Sequence, residues 1–360
     1  MYRAVREPER RLQRAQDAIK DQKGIWIFDS PLKPALERKN RRVLVVANAK
    51  GGVGKTTVAA NLAACLSNWI SKPVLLIDLD FQGSLSSMAI VQSSLRVPAR
   101  GQSSFAAKLV ANTLTEDRLF DLPTATDLPN LRVLPAFYDL AREENRVMLE
   151  WVIGDRKEDP RFPLSKLLNS PSIDDHFGLI VIDCAPRLTT GTIQALAAGS
   201  HLLIPTILDG PSTEAVVNFV EQVETFREAG LCKDIEYLGV LPTMQLPRAN
   251  YQEARVHLAD RLREVTCAAG FARPRLLDVS FVASTEVRKA FGRGIAYPRL
   301  TGVSAKKVRE AIHHVARTVV SSVGLPADKM PVYTHFSTRD VNEVQHPIKN
   351  SDGLRAERLT

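Results

Sequence analysis

A glycine-rich loop with two lysines is the part of this 360-residue sequence best suited to chemistry. It reads AKGGVGKTT over residues 49–57 and lies between an apolar run and a stretch with helical spacing. Glycines let a phosphate approach the backbone, and the N–H groups at the start of a helix point towards such an anion. We expect Lys55 to contact the β- and γ-phosphates of a nucleotide and the Thr56 hydroxyl to ligate Mg²⁺.

The loop departs from the strict G-x-x-x-x-G-K-[ST] pattern, because Ala49 stands at the first glycine. A purely structural glycine turn is the alternative interpretation. The placement of the loop between a strand pattern and a helix pattern favours phosphate binding, since that motif requires this context.

Acidic residues follow two other apolar runs. VLLIDLD over residues 74–80 ends in Asp78 and Asp80, and LIVIDCA over residues 179–185 contains Asp183. Functional residues of parallel sheets lie where strands end, so we expect these carboxylates near the loop. For the first pair, ordinary turn formation is the alternative.

The alternation of apolar runs with helical patterns predicts the fold. Strand patterns cover residues 43–49, 73–80, 131–136, 178–185, 201–208 and 237–244, and helix patterns cover residues 56–70, 191–199, 212–229 and 251–269. Repeated strand-then-helix units predict an α/β fold, with a mostly parallel sheet covered by helices on both faces in a three-layer, Rossmann-like arrangement.

Charge is distributed unevenly along the chain. Residues 1–42 contain 12 Lys and Arg against 6 Asp and Glu, residues 43–247 contain 17 against 23, and residues 248–315 contain 13 against 6. An acidic body between two basic regions favours a polyanionic partner, either nucleic acid or an anionic membrane. The composition, 44% hydrophobic and 24% charged, is typical of a globular protein that buries a large core.

Several classes of protein are not expected. The N-terminal segment MYRAVREPERRLQRAQ lacks the apolar run of a signal peptide, and no stretch reaches the roughly 18 apolar residues of a membrane-spanning helix. We therefore expect a cytoplasmic protein without integral membrane association. The four cysteines lack metal-ligand spacing, which favours reduced, mostly buried thiols.

The KGGVGKTT loop and the two aspartate segments together resemble the ParA/MinD family of deviant Walker A P-loop ATPases. The resemblance implies ATP and Mg²⁺ as cofactors and an ATP-sandwich homodimer in which Lys50 reaches the partner's phosphates. It implies catalytic roles for Lys50, Lys55 and Asp80, with Asp80 orienting or activating the attacking water. Nucleotide contacts are expected from Lys50, Gly51, Gly52, Val53, Gly54, Lys55, Thr56, Thr57 and, near the adenine, Thr243. Metal contacts are expected from Thr56, Asp78, Asp80 and Asp183.

The sequence departs from the family pattern at two positions: Phe81 replaces a proline after the second aspartate, and Ala185 replaces the first proline after Asp183-Cys184. The number of residues between Asp80 and Asp183 is large, and in this the sequence resembles the ParA branch of the family. The C-terminal segment KNSDGLRAERLT lacks a bulky apolar face, so we do not expect it to form the amphipathic membrane-targeting helix of MinD-type proteins.

ParA resemblance implies nonspecific DNA binding in the ATP state, association with the nucleoid, and partition of a plasmid or chromosome with hydrolysis stimulated by a ParB-like protein. The family's DNA-contacting arginines align with Ala283 and Glu286 here, so a different basic set is the hypothesis: Arg288, Lys289, Arg293, Lys306, Lys307 and Arg309. A merely solvated basic surface is the alternative. An ATPase of this type that positions a non-DNA cargo, such as secretion, chemotaxis or cellulose-export machinery, is the alternative function.

Three parts of the chain are expected. Residues 1–42 form a basic, partly helical extension, residues 43–320 a ParA-type ATPase domain, and residues 321–360 a flexible tail. The apolar run GIWIF over residues 24–28 is a candidate for docking the extension on the body.

Overall fold

The computed structural model describes residues 22–27, 42–90, 97–99, 101–246, 250–290, 293–303, 305–326 and 328–331. Most of the expected N-terminal extension and C-terminal tail therefore lies outside the described residues. The three-part division of the chain stays a prediction.

A central eight-stranded sheet organises the described chain. Its strands are β1 (Val43–Val46), β2 (Val74–Leu79), β3 (Thr124–Ala125), β4 (Leu128–Leu134), β5 (Leu179–Cys184), β6 (His201–Thr206), β7 (Glu236–Gln245) and β8 (Phe281–Val282). Their order across the sheet is β3-β4-β2-β5-β1-β6-β7-β8, and only the β3–β4 pair is antiparallel. This confirms the mostly parallel sheet that the sequence predicts.

Helices connect the strands and cover both faces of the sheet. They are α1 (Gln22–Ile27), α2 (Lys55–Trp69), α3 (Ser84–Ala89), α4 (Phe105–Val110), α5 (Asp117–Phe120), α6 (Asp139–Val152), α7 (Pro163–Leu168), α8 (Pro171–His176), α9 (Thr190–Ala198), α10 (Gly210–Glu228), α11 (Gln252–Glu264), α12 (Thr285–Lys289) and α13 (Lys306–Val323). In the described ranges, none of these helices is both long enough and apolar enough to cross a bilayer.

Alternating strand side chains divide the core into two layers. In β1, Val45 belongs to the layer with α6, α9 and α10, whereas Leu44 and Val46 belong to the layer with α2 and α13. All three side chains are fully buried. Since successive residues of a strand point to opposite faces, a strand covered on both sides must be apolar throughout, and this is the pattern of the central strands.

The register of the central strands brings the acidic residues together. Val46 lies opposite Asp183 in the β1–β5 pair, and Asp78 lies opposite Asp183 in the β2–β5 pair. The loop that follows β1 therefore starts beside the carboxyl ends of β2 and β5. Such an edge is where open α/β sheets bind ligands.

Helix α1 packs on the body of the protein through Trp26, as expected for the apolar run. Trp26 is buried and stacks on Trp151, with ring centroids 5.9 Å apart. Its carbonyl oxygen accepts a hydrogen bond of 2.7 Å from Nη1 of Arg161. Arg161 also makes a buried, two-pronged contact with Asp159, at 2.9 and 2.6 Å. An arginine thus joins α1 to the body.

Replacing Arg161 with alanine is expected to lower the free energy of unfolding by about 3 to 5 kcal/mol, because Asp159 becomes a buried charge without its partner. Urea denaturation followed by circular dichroism measures this loss. Arg118→Ala, at an exposed position, is the matched control and is expected to change stability by less than about 0.5 kcal/mol. A loss below about 1 kcal/mol for Arg161→Ala contradicts the assignment.

Candidate functional site

The glycine-rich loop turns tightly between β1 and α2. Gly52 and Gly54 adopt left-handed backbone conformations, with φ of 74° and 81°, which favour glycine over any residue with a side chain. Helix α2 begins at Lys55, directly after Gly54, so its first backbone N–H groups face the loop. This is the geometry of a phosphate-binding helix N-terminus.

The side chain of Thr243 supports the loop by contacting its backbone. Its Oγ1 lies 2.8 Å from the carbonyl oxygen of Val53 and 2.9 Å from that of Thr206, so the hydroxyl joins the loop to β6. The side chain is buried. The structure thus gives Thr243 a supporting contact, and the contact with adenine that the sequence predicts stays a prediction.

Lys55 is almost fully buried, with 7% of its surface exposed, and its Nζ donates a 2.8 Å hydrogen bond to the backbone oxygen of Lys50. Burial lowers the pKa of Lys55, and the nearby charge of Asp183 opposes that shift. The ammonium group therefore lies under the loop and close to the end of β5, where an anion bound in the loop would complete its surroundings.

Asp183 has a carboxylate that no described group satisfies. The residue is 1% exposed, and neither carboxylate oxygen has a hydrogen-bond partner among the described residues. Burial raises the pKa of Asp183 well above its usual range and the charge of Asp78 adds to the rise, whereas the Thr56 side chain and the charge of Lys55 oppose it. A buried carboxylate without a well-formed hydrogen bond is unfavourable unless a cation approaches it. Its environment therefore fits a divalent cation.

Asp78 and Asp80 differ in what their carboxylates contact. Asp78 is fully buried and accepts hydrogen bonds from the N–H and hydroxyl of Ser86, at 2.9 and 2.7 Å, and from the N–H of Asp80 at 3.0 Å. Asp80 is partly exposed, and among the residues that the structure describes its Oδ1 accepts the N–H of Gln82 alone. Asp78 thus anchors α3 and the turn that carries Asp80, whereas Asp80 keeps an accessible carboxylate.

In the described ranges, no three His, Cys, Asp or Glu side chains lie close enough together to hold a metal ion. Magnesium does not need such a set, because it commonly keeps several waters and binds through one or two protein groups. The metal contacts predicted for Thr56, Asp78, Asp80 and Asp183 stay predictions, and Asp183 is the carboxylate whose environment fits them best.

Lys50 contacts its own chain. Its Nζ lies 3.3 Å from Oδ1 of Asp209 and 2.5 Å from the hydroxyl of Ser212. Asp209 also caps α10 by accepting the N–H of Ser212 at 2.7 Å, and these bonds lower its pKa. Since the lysine and aspartate side chains are 30% and 46% exposed, the ion pair is worth only about 0 to 1 kcal/mol. Lys50 can leave Asp209 at little cost.

An apolar cavity of about 310 Å³ adjoins the loop. Its lining comes from three segments of the chain: Gly54, Thr57 and Val58; Thr243, Met244 and Leu246; and residues 281–284 with Val287 and Arg288. A cavity with apolar walls beside a phosphate loop suits a flat aromatic base.

Comparison with known proteins shows the family of this chain. The family model described as an AAA domain (AAA_31) matches residues 41–237. The chromosome partitioning protein ParA of Myxococcus xanthus (strain DK1622) is 33% identical over 211 residues, which is 58% of this chain and 67% of that protein. The ParA of Caulobacter vibrioides (strain NA1000 / CB15N) is 30% identical over 249 residues, 66% of this chain and 86% of that protein. This chain belongs to the ParA/MinD family of P-loop ATPases.

A solved structure agrees with this family assignment. Cobyrinic acid a,c-diamide synthase from Mycobacterium smegmatis, with bound ATP analogue and magnesium, has a TM-score of 0.55 and 26% identity over 81% of this chain and 99% of that chain. The present ParA/MinD-type protein is accordingly an enzyme that hydrolyses ATP.

Glu144, on α6, is a buried carboxylate beside the ATPase site that the sequence reasoning missed. Its Oε1 accepts the N–H of Gly191 at 2.9 Å, so it fixes the start of α9. Burial raises its pKa to about 7, Arg187 opposes the rise and Asp80 adds to it. The helical spacing of Leu140, Val147 and Trp151 offered a signal, since Glu144 falls on the same face.

The proposed DNA-contacting set of this ATPase is mostly exposed. Arg288, Lys289, Arg293, Lys306 and Lys307 are exposed, and Arg309 is partly buried and donates to the backbone oxygen of Leu300. Two of the lysines pair with acidic neighbours on their own helices, Lys289 with Glu286 at 3.1 Å and Lys306 with Glu310 at 3.7 Å. Arg288 lines the apolar cavity. DNA contact by this set stays a prediction.

Proposed function

We propose that this ParA-type ATPase is a Mg²⁺- and ATP-dependent dimerising switch that binds DNA without sequence preference in its ATP state and acts in plasmid or chromosome partition. One observation carries the proposal: the phosphate loop and the unsatisfied carboxylate of Asp183 meet at one edge of the sheet. The 30% identity over 86% of a chromosome partitioning protein supports the biological role.

In this proposal, the loop residues Gly51 to Thr57 bind the phosphates, and the cavity beside Thr57 and Met244 takes the adenine. Asp183 and the Thr56 hydroxyl would hold Mg²⁺, with Asp80 and Asp78 as the other candidates. The metal, when bound, neutralises negative charge on the β- and γ-phosphates.

The chain's own residues supply the remaining steps. Lys55 binds the β- and γ-phosphates, and Asp80 orients or activates the attacking water. Lys50 leaves Asp209 and reaches the phosphates of the partner subunit in a sandwich homodimer, so ATP promotes dimerisation. A cation supplied by the partner stabilises phosphate charge only when the two subunits meet.

DNA binding follows from the basic C-terminal region, which has a net charge of +7 over residues 248–315. A ParB-like protein would stimulate hydrolysis, return the protein to the monomer and release it from DNA. The protein would then work in the cytoplasm, on the nucleoid.

Wild-type protein with Mg²⁺-ATP is expected to bind random duplex DNA, with an affinity that falls steeply as salt rises, because phosphate contacts release counterions. Fluorescence anisotropy with ATP, with ADP and without nucleotide measures this. The triple variant Lys289→Ala, Lys306→Ala, Lys307→Ala is expected to weaken binding at least about tenfold.

A matched control replaces three exposed lysines of the acidic body, Lys108, Lys157 and Lys233, with alanine, and is expected to bind DNA as the wild type does. No binding of the wild type at low salt contradicts the DNA role. ATP-dependent dimers without DNA binding would favour the alternative, in which the same ATPase positions a non-DNA cargo.

A further inference from the structure

Arg187 follows the Asp183 strand and lies beside two parts of the phosphate site. The preceding residue, Pro186, faces the loop: a Cβ placed on Gly51 would lie 3.7 Å from the Pro186 Cβ. On its other side, the Arg187 guanidinium lies over the ring of Phe81, 5.6 Å from the centroid. Phe81 is the neighbour of Asp80 in sequence. Arg187 is therefore placed between the phosphate loop and the turn that carries the water-orienting carboxylate.

The backbone of Arg187 is fixed, while its side chain is exposed. Its carbonyl oxygen accepts the Thr192 hydroxyl at 2.9 Å and the Thr189 N–H at 3.0 Å, which holds the turn before α9. No carboxylate of the described residues forms an ion pair with it in this structure. The guanidinium rests on an aromatic ring, a contact worth about 0.5 to 1 kcal/mol at an exposed site.

The surroundings of Glu144, on α6, also place Arg187 close to Asp80. Arg187 and Asp80 act in opposite directions on the pKa of this buried carboxyl, after the larger effects of burial and of its hydrogen bonds with Thr189 and Gly191. A positive and a negative charge thus both lie within range of Glu144. Arginine can donate several hydrogen bonds to the charged oxygens of a phosphate group, which makes it suited to the γ-phosphate.

We propose that Arg187 is a further catalytic residue, which leaves the ring of Phe81 as the transition state forms and donates hydrogen bonds to the oxygens of the γ-phosphoryl group in its own subunit. The inference uses ATP hydrolysis alone and is independent of DNA binding and partition. It is specific to this chain, since it rests on the contact between Arg187 and Phe81, which occupies a position where the family has proline.

In the reaction, water adds to the γ-phosphorus and the bond between that phosphorus and the bridging oxygen breaks. The electron pair of the broken bond stays on ADP, and the proton of the water passes to Asp80 and then to solvent, which leaves inorganic phosphate. Arg187 forms and breaks no covalent bond. It acts by stabilising negative charge on the transferred group, so its contribution is largest in the transition state.

The test compares wild type, Arg187→Ala and Arg187→Lys, with Arg118→Ala as the control at an exposed site away from the loop. We expect Arg187→Ala to lower kcat at least about tenfold and Arg187→Lys to recover part of that loss. The affinity for a non-hydrolysable fluorescent ATP analogue is expected to stay within about threefold of wild type, whereas the affinity for ADP with aluminium fluoride falls at least about tenfold.

The comparison of the affinity for the ATP analogue with the affinity for ADP and aluminium fluoride distinguishes a catalytic role of Arg187 from a structural one. A residue that only supports the fold would weaken the ATP analogue and the aluminium fluoride complex equally, and that result overturns the proposal. A kcat for Arg187→Ala within twofold of wild type overturns it as well. Wild-type DNA binding affects none of these readouts, so failure of the DNA proposal is distinguishable.

Discussion

Replacing Lys55 with alanine is expected to lower ATP turnover at least about a hundredfold, because the loop then lacks the cation closest to the transferred phosphate. The surroundings of Lys55 suit this role. It is buried under the loop, its Nζ is held by the backbone oxygen of Lys50, and Asp183 helps to keep it charged. No other described lysine occupies the loop interior in this way.

Phosphate release at saturating Mg²⁺-ATP measures the loss. Lys72→Ala is the matched control, because the Lys72 side chain is exposed and its Nζ donates to the backbone oxygen of Asp174, away from the loop, and the variant is expected to hydrolyse ATP at the wild-type rate. Far-ultraviolet circular dichroism of both variants is used to check that the fold is retained. Turnover of Lys55→Ala within twofold of wild type contradicts the assignment of the loop.

The fold and the loop were predictable from the sequence because their signals are local. The strand pattern over residues 43–49, the glycine-rich turn and the helix pattern over residues 56–70 are neighbours in the chain, and the structure has a strand over Val43–Val46 and a helix over Lys55–Trp69. Asp183 could be predicted in the same way, since it lies one residue before the end of the buried strand β5. Such features depend on periodicity and on backbone preferences that a single sequence shows.

Other parts of the site depend on contacts between distant segments, and these were missed. Lys50 contacts Asp209, the N-cap of α10, which is 159 positions away, and Glu144 contacts Gly191, which is 47 positions away. The sequence also assigned Asp78 a metal contact, and only the structure shows that its carboxylate accepts three hydrogen bonds from Ser86 and Asp80. Pairings of this kind arise from packing, which local patterns do not report.

The second large effect is expected at Asp80. Asp80→Ala should lower turnover about a hundredfold while the affinity for ATP stays near that of wild type, because in the proposed mechanism Asp80 acts on the water and the loop binds the phosphates. Its carboxylate is accessible, and its only described side-chain hydrogen bond is with the N–H of Gln82. A variant that binds ATP without cleaving it should accumulate in the ATP-bound form.

That accumulation makes Asp80→Ala useful for testing the switch. If Lys50 leaves Asp209 to contact the partner's phosphates, the variant should remain a dimer for as long as ATP is present. Lys50→Ala in the same Asp80→Ala background is the matched control. It retains the loop and Lys55 but lacks the cation that reaches the other subunit, so it should stay monomeric with ATP.

The mass of Asp80→Ala in solution, with and without Mg²⁺-ATP, therefore tests the central claim most directly. Light scattering coupled to size exclusion is expected to show the 39.8 kDa chain without nucleotide and twice that mass with Mg²⁺-ATP. A monomer under both conditions, or a dimer that persists unchanged when Lys50 is replaced, contradicts an ATP-dependent sandwich.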